Sequence, residues 1–252
     1  MSRRIPTDVA AVLEEIDAFI EREIVPLEQE DDNARFFDHR REMARTDVER
    51  GGLPSAEWEA LLAEARRRAD RAGLYRYALP PELGGRGAGN LAMAIVREHL
   101  NRRPLGLHND PQSEFSIVGN HPTVLLLHEF GTPGQKELIE PALRGEAALA
   151  FGLTEPGHGS DATYLQTTAR RDGSDWVIDG VKRFNTGMHA ASHDLVFART
   201  SGEPGSPRGI TAFIVPRDAP GLTVERYLWT FNMPTDHAEV RLDGVRVGDD
   251  AI

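Results

Sequence analysis

Between residues 147 and 161, a short apolar run from Ala147 to Leu153 ends in Thr154. It then breaks into Glu155-Pro156-Gly157-His158-Gly159-Ser160-Asp161. Proline and glycine so placed stop a strand and expose backbone N–H groups. Thr154 and Ser160 set hydroxyls beside those groups. A loop of this make-up can hydrogen-bond a flat ring with polar edges and a phosphate together. The plainer reading of the same residues is a strand closed by a structural Pro-Gly turn. Other groups that could do chemistry are scattered. His108, His121, His128, His189 and His237 show no metal-ligand spacing, and His128-Glu129 lacks the second histidine of a zinc-binding helix. Glu155 stands next to Thr154 but reads as a surface or turn acid before Pro156, and Asp161 as a turn or ion-pair residue. No catalytic residue and no metal ligand is assigned.

The elements that must carry this loop divide in two. The first half is helical. Thr7 is placed to cap a helix with Val9, Val12, Leu13, Ile16, Phe19 and Ile20 on one stripe, with Pro26 marking its last turn or end. The charged stretch from Asp31 to Pro54 reads as a partly ordered connection. Ser55 then caps a helix with Trp58, Leu61, Leu62, Ala65 and Ala69 on one face, closed by Gly73. Asn90 opens another bearing Leu91, Ala94, Ile95 and Glu98, and a last helical stretch runs from Thr123 to Leu143 around the break at Gly131 to Gly134. The segment from Arg102 to Pro122 is rich in Gly, Pro, Asn and His and reads as loop. After Gly145 the apolar period becomes alternating. Trp176 to Phe184 reads as a hairpin around Asp179-Gly180, and Asp243-Gly244 reads as a second turn leading into Val245 and Val247. Leu195 to Arg199 and Ile210 to Val215 are compact strands. Helices first and strands second predict an α+β fold: an all-helical domain over 1–146, then a small antiparallel β-barrel or sandwich over 147–252.

Composition narrows the classes. The chain has 252 residues, of which 40% are hydrophobic and 27% charged, enough for one or two packed domains. A net charge of −11 disfavours nucleic acid as partner, and the short clusters Arg40-Arg41, Arg66-Arg67-Arg68 and Arg102-Arg103 read as solvated helix faces or local ion pairs. The absence of cysteine removes disulfides, thiolate nucleophiles and Cys-ligated metals. No window suggests a signal core or a membrane span, so a cytoplasmic location is expected.

Phe151 to Asp161 resembles the flavin-binding loop of the acyl-CoA dehydrogenase family, an aromatic-x-x-Thr-Glu-Pro-x-x-Gly-Ser-Asp pattern. Gly131 to Glu137, with Pro141, Leu143 and Gly145-Glu146, is similar to the segment just upstream of that loop. Gly180-Val181-Lys182-Arg183-Phe184-Asn185-Thr186-Gly187 resembles the second flavin segment, with Phe-Asn-Thr in place of Trp-Ile-Thr. Ala238 to Val247 resembles a later strand motif, with Gly248 where a proline is usual. The resemblance runs from about Asp8 to the last residue. It implies FAD as cofactor, an acyl-CoA substrate, and an electron-transfer flavoprotein or similar acceptor. It also implies oxidation of an acyl thioester to its 2-enoyl form. Phe151, Gly152, Leu153, Thr154, Gly159, Ser160, Phe184, Asn185 and Thr186 would bind the cofactor, and Ser160 would also meet the acyl-CoA. Thr235 to Val247 and the Phe-Asn-Thr triplet lean towards the branch acting on longer or modified acyl chains. A flavin oxidase or monooxygenase on the same fold is the neighbouring possibility.

The family carries its catalytic glutamate on a C-terminal helical domain of four helices, which would follow Ile252. Three expectations result: a piece of a longer enzyme, one subunit of a split heteromeric enzyme, or a non-catalytic flavin- or acyl-CoA-binding fragment. In each case a homo-oligomer or heteromer supplying the helical domain is expected, because apolar faces on the helical and strand parts lack that bundle. A few hundred Å² of exposed apolar surface gives several kcal/mol towards association, at roughly 25 cal/mol per Å². The isolated chain should therefore self-associate or bind dyes that report apolar surface. A monodisperse monomer at high concentration in sedimentation, with no dye binding, would contradict this.

Overall fold

The computed structural model of the chain describes residues 5–109, 116–229 and 236–252. Thr235 and the middle of the loop expected between Arg102 and Pro122 lie outside the described residues. The described residues up to Thr46, with Ser55–Leu125, form one compact unit, and Asp47–Pro54 with Leu126–Ile252 form a second.

The first unit opens with α1 (Thr7–Phe19), which buries Val9, Val12, Leu13, Ile16 and Phe19 as its spacing predicts. Thr7 is not its cap. Pro6 stands there in extended conformation, Thr7 is already helical, and the Ala10 N–H closes the first turn on the Pro6 carbonyl. Pro26 lies in the last turn of the helical run, which ends at Gln29. A π-helical turn over Ile20–Ile24 leads directly into α2 (Val25–Gln29), with the Val25 N–H reaching five residues back to the Ile20 carbonyl. Proline lacks an N–H and collides with the carbonyl four residues before it, and one widened turn relieves both problems. The charged connection consists of 3₁₀ turns over Glu30–Phe37 and His39–Arg45, followed by the two-residue strands β1 (Thr46–Asp47) and β2 (Leu53–Pro54). It is anchored by Phe36, whose ring meets Trp58 at 5.3 Å, and by Arg45 Nε, which donates to the Phe36 carbonyl at 2.6 Å.

Helix α3 (Ala56–Arg71) follows the sequence closely. Ser55 Oγ accepts from the Trp58 N–H at 3.3 Å, and Trp58, Leu61, Leu62, Ala65 and Ala69 are buried. Gly73, at φ +70°, turns the chain away at its end. Helix α4 (Asn90–Asn101) corrects the expected face. It buries Met93, Val96 and Leu100, while Leu91 is largely exposed. Both stripes have helical spacing, and packing against the core decides which one turns inward.

Helix α5 (Pro122–Phe130) begins in the first unit and ends in the second, which also contains α6 (Pro133–Lys136), α7 (Ile139–Arg144) and, among the described residues, a sheet of seven strands. These are β3 (Leu149–Gly152), β4 (Thr168–Asp172), β5 (Asp175–Thr186), β6 (His193–Arg199), β7 (Ile210–Pro216), β8 (Leu222–Tyr227) and β9 (His237–Val247). The strand order is β3-β6-β4-β5-β9-β8, with β7 paired to β6 and a further contact of β3 with β5. Pairing is antiparallel except where β6 lies parallel to β3 and β4. Ala150, Ile178, Val196, Phe213, Val215, Val240 and Val245 fill its core. The helical-then-strand α+β order is the one the sequence predicts.

The two Asp-Gly pairs are not hairpin turns. Asp179-Gly180 lies inside the continuous strand β5 and Asp243-Gly244 inside β9, where the register skips between Ile178/Val245 and Gly180/Leu242. Only the second is a bulge: Asp243 and Gly244 of β9 together oppose the single Asp179 of β5, whose Oδ1 accepts the Gly244 N–H at 2.8 Å. A hairpin needs the residues flanking its turn to pair with each other, and here both flanks pair with the opposite strand. The real turn comes one pair earlier. Gly173, at φ +65°, and Ser174 join β4 to β5, where Asp172 faces Asp175. Gly180 is required by close approach, since a Cβ there would sit 2.3 Å from Thr167 Oγ1. Gly180→Ala should destabilise the fold by about 2 kcal/mol or more, read as a lowered denaturation midpoint with unchanged slope.

Candidate cofactor site

The two segments singled out in the sequence meet. Phe151 on β3 faces Thr186 on β5 in antiparallel register. Beyond the end of β3 the contact continues, with the Arg183 N–H donating to the Thr154 carbonyl at 2.9 Å. Lys182 Nζ donates to the Leu153 carbonyl at 3.2 Å. Phe151 to Thr154 and Phe184 to Thr186 therefore form one edge of the second unit.

That edge rests on a buried ion pair. Lys182 is completely enclosed, and its ammonium lies 2.9 Å from Glu155 Oε1. Glu155 also accepts the backbone N–H groups of Gln166 at 2.6 Å and Thr167 at 2.8 Å. Burial alone would raise the Glu155 carboxyl, but these donors and the Lys182 charge outweigh it and hold the pKa below the ordinary glutamate value. Burial pushes the Lys182 ammonium down, against the attraction of Glu155. Glu155 is thus a buried structural acid and not the surface or turn residue its place before Pro156 suggests. Nothing in the local sequence shows this, because its partners come from Lys182 on β5 and from the chain entering β4.

The loop after β3 closes on itself. The Glu155 N–H reaches the His158 carbonyl at 3.0 Å and the His158 N–H returns to the Glu155 carbonyl at 3.2 Å, with Pro156 and Gly157 at the tip. Gly159 and Ser160 follow on the surface. Asp161 Oδ1 accepts the Thr163 N–H at 3.1 Å, the turn role expected of it. The rings of His158 and Tyr164 stack with centroids 5.9 Å apart.

On β5 a second bulge re-aims the side chains. The register skips between Arg183/Glu239 and Asn185/Ala238, which leaves Phe184 unpaired at φ +58°. A left-handed backbone is uncommon for a bulky residue, and such strain is a pointer to a site. The result is that Phe184 projects outward, half exposed, and Asn185 turns inward with no exposure at all. Asn185 Nδ2 donates to Asp194 Oδ2 at 2.6 Å across to β6. Thr186 is exposed, and its hydroxyl donates to the Phe184 carbonyl at 3.2 Å and lies 3.1 Å from His237 Nδ1. His237 Nδ1 is in turn 3.2 Å from Asp236 Oδ1. Asp194 escaped the sequence reading, and His237 entered it only as a histidine without metal-ligand spacing. A lone acid inside the apolar strand around Leu195 to Phe197 was the one available signal for Asp194. Among the described residues no group of three or more His, Asp or Glu side chains could hold a metal ion.

With this geometry in place, comparison with known proteins is informative. The model of the acyl-CoA dehydrogenase N-terminal domain matches residues 38–146, and that of the acyl-CoA dehydrogenase middle domain matches residues 150–245. A 3-(aryl)acrylate reductase of Clostridium sporogenes is 36% identical over 179 residues, covering 69% of this chain and 45% of that protein. A Mycobacterium abscessus structure assigned to the acyl-CoA dehydrogenases superposes with a TM-score of 0.73 at 30% identity, covering 98% of this chain and 60% of that one. A glutaryl-CoA dehydrogenase of Mycobacterium smegmatis, solved in complex with FADH2, gives 0.67 at 25% identity, covering 98% and 55%. The chain belongs to the acyl-CoA dehydrogenase family. It spans about half the length of the curated relatives it matches, 45% and 46% of the first of them.

Removing one partner of a buried pair leaves an uncompensated charge. Lys182→Met should lower stability by about 3–5 kcal/mol in denaturant unfolding, with the double change Lys182→Met, Glu155→Gln recovering part of the loss.

Proposed function

We propose that this chain is the N-terminal helical part (1–146) and middle β part (147–252) of an FAD-dependent acyl-CoA dehydrogenase acting on an acyl-CoA thioester. The observation that carries this reading is the pairing of Phe151 with Thr186, which puts both expected flavin segments on one edge. The donor set suits a flavin. Phe151, Gly152, Leu153 and Thr154 offer a backbone edge with a terminal hydroxyl, and Thr186 offers a second hydroxyl beside it. Phe184 presents an exposed ring. Gly159 and Ser160, at the surface beyond the Glu155–His158 turn, suit the phosphate end, with Ser160 also meeting the acyl-CoA. When bound, FAD would supply the hydride acceptor for forming the 2-enoyl product.

The residues of this chain bind and orient, and none abstracts the α-proton. Glu155 is excluded as that base by its enclosure and by its three donors, the Gln166 and Thr167 N–H groups and the Lys182 ammonium. The base, the closing wall of the acyl pocket and most of the oligomer contact would come from a helical domain, in the same polypeptide or in a partner subunit. Electrons would leave to an electron-transfer flavoprotein or similar acceptor. The net charge of −11 favours these partners over nucleic acid. No described helix is long and apolar enough to cross a membrane, and we place the protein in the cytoplasm.

Titration of the chain with FAD should quench flavin fluorescence, more weakly than expected of a full-length family member. Thr154→Ala and Thr186→Ala should each weaken binding about two- to tenfold, the worth of one hydrogen bond. No quenching at high protein concentration would remove the cofactor reading. With acyl-CoAs and an artificial acceptor, this chain alone should give no turnover. Turnover that disappears in Glu155→Gln would instead identify Glu155 as the base.

A further inference from the structure

Behind the proposed cofactor edge lies a polar pair that neither family motif explains. Asp194 and Asn185 have no solvent exposure, and Asn185 Nδ2 donates to Asp194 Oδ2 at 2.6 Å. The other oxygen of each side chain, Asp194 Oδ1 and Asn185 Oδ1, is buried with no hydrogen-bond partner among the described residues. Two enclosed acceptors on one bonded pair are costly, because each has given up water and gained nothing. A single proton on the carboxyl changes the balance. An acid O–H is a donor, and an amide oxygen is the acceptor it lacks. The pair also touches the site. A Cβ on Gly152 would lie 3.1 Å from Asp194 Oδ1 and 3.4 Å from Asn185 Nδ2, so the backbone of Gly152 rests directly on it. Asn185 itself sits between Phe184 and Thr186.

We propose that Asp194 is a positioning residue whose carboxyl, in its protonated form, locks Asn185 and sets the spacing between the Gly152 and Thr186 backbones at the cofactor edge. The inference rests on the cofactor reading above for its functional meaning, but the protonation and the spacing do not depend on bound FAD. The charged groups around the carboxyl are few. From β5 comes Lys182, already held by Glu155, and Arg217 follows β7. From β3 the neighbours are Ala150 and Gly152, and from β7 Val215, none of which carries a charge. His193 precedes Asp194 in the chain and its Nδ1 meets Ser192 Oγ at 3.0 Å. Burial accordingly pushes the Asp194 carboxyl up to about 6, with the Asn185 hydrogen bond, Lys182 and Arg217 opposing. An acid raised on folding stabilises the fold at low pH, and that stabilisation is lost as pH rises through the folded value.

The test uses the full chain with ¹³C-labelled aspartate and ¹⁵N backbone, with Asp194→Asn as assignment and mimic. Asparagine at this position retains an acceptor for Asn185 Nδ2 and supplies an N–H donor in place of the acid O–H, without a titrating proton. The Asp194 carboxyl should titrate well above the ordinary aspartate range, and the amide signals of Gly152 and Thr186 should follow the same curve. From about pH 4 to about pH 8 the wild-type folding constant should fall roughly a hundredfold relative to Asp194→Asn. FAD affinity should weaken over the same range in wild type and stay flat in Asp194→Asn. A carboxyl titrating in the ordinary range, or Asp194→Asn destabilised equally at both ends, would show an ionised residue paired with Lys182 and overturn the proposal. Amides that ignore the titration, or FAD affinity that is bound but flat in wild type, would overturn the positioning role. Absence of FAD binding at every pH would remove the cofactor reading, while the carboxyl and amide titrations would still judge the spacing on their own.

Discussion

An ammonium sealed from water has to find acceptors, and the second unit is arranged around the ones Lys182 finds. It reaches the Leu153 carbonyl on one side and the Glu155 carboxylate on the other. Glu155 in turn gathers the N–H groups of Gln166 and Thr167 as the chain approaches β4. One cation therefore ties the end of β3, the loop that follows it and the start of β4 to the middle of β5. Buried pairs of this kind add little net stability compared with apolar packing, but a mispaired arrangement would leave charges stranded, and that makes the arrangement selective.

Around this pair the backbone is shaped by bulges. The Asp243-Gly244 bulge of β9 absorbs one extra residue opposite Asp179 without ending either strand, and the Asp179 carboxylate accepts the Gly244 N–H. The Phe184 bulge shifts the inside–outside alternation by one. Lys182 and Asn185 point in while Phe184 and Thr186 point out. A regular strand, with its period of two, could not place residues 182 and 185 on the same buried face. The strained backbone at Phe184 is thus what allows one strand to supply both the hidden support and the exposed surface of the site.

The helical unit shows a similar economy at Pro26. A single π turn lets one amphipathic run continue past a residue that cannot donate, so Ile20, Ile24 and Leu27 all remain in the core with Phe19 and Trp58. The Phe36, Trp58 and Arg45 cluster does for the charged connection what a longer apolar segment would otherwise have to do.

Much of this was legible from residue order. The helical stripes of α1 and α3, the Ser55 cap, the Gly73 stop and the switch to strand period after Gly145 depend on neighbours a few residues apart, and local spacing encodes them. The family resemblance of Phe151 to Asp161 and Gly180 to Gly187 was legible too, because turn-forming and hydroxyl residues at fixed intervals leave a recognisable pattern. The inward face of α4 was not, since two stripes of equal helical spacing compete and only packing chooses between them. Nor was the role of the Asp-Gly pairs, because the same dipeptide serves a turn or a bulge according to which strand its flanks meet. Glu155, Lys182, Asn185 and Asp194 were the hardest. Each reads locally as an ordinary polar residue, and its burial, its partners and its charge state are set by chain segments that only the tertiary fold brings within hydrogen-bond distance.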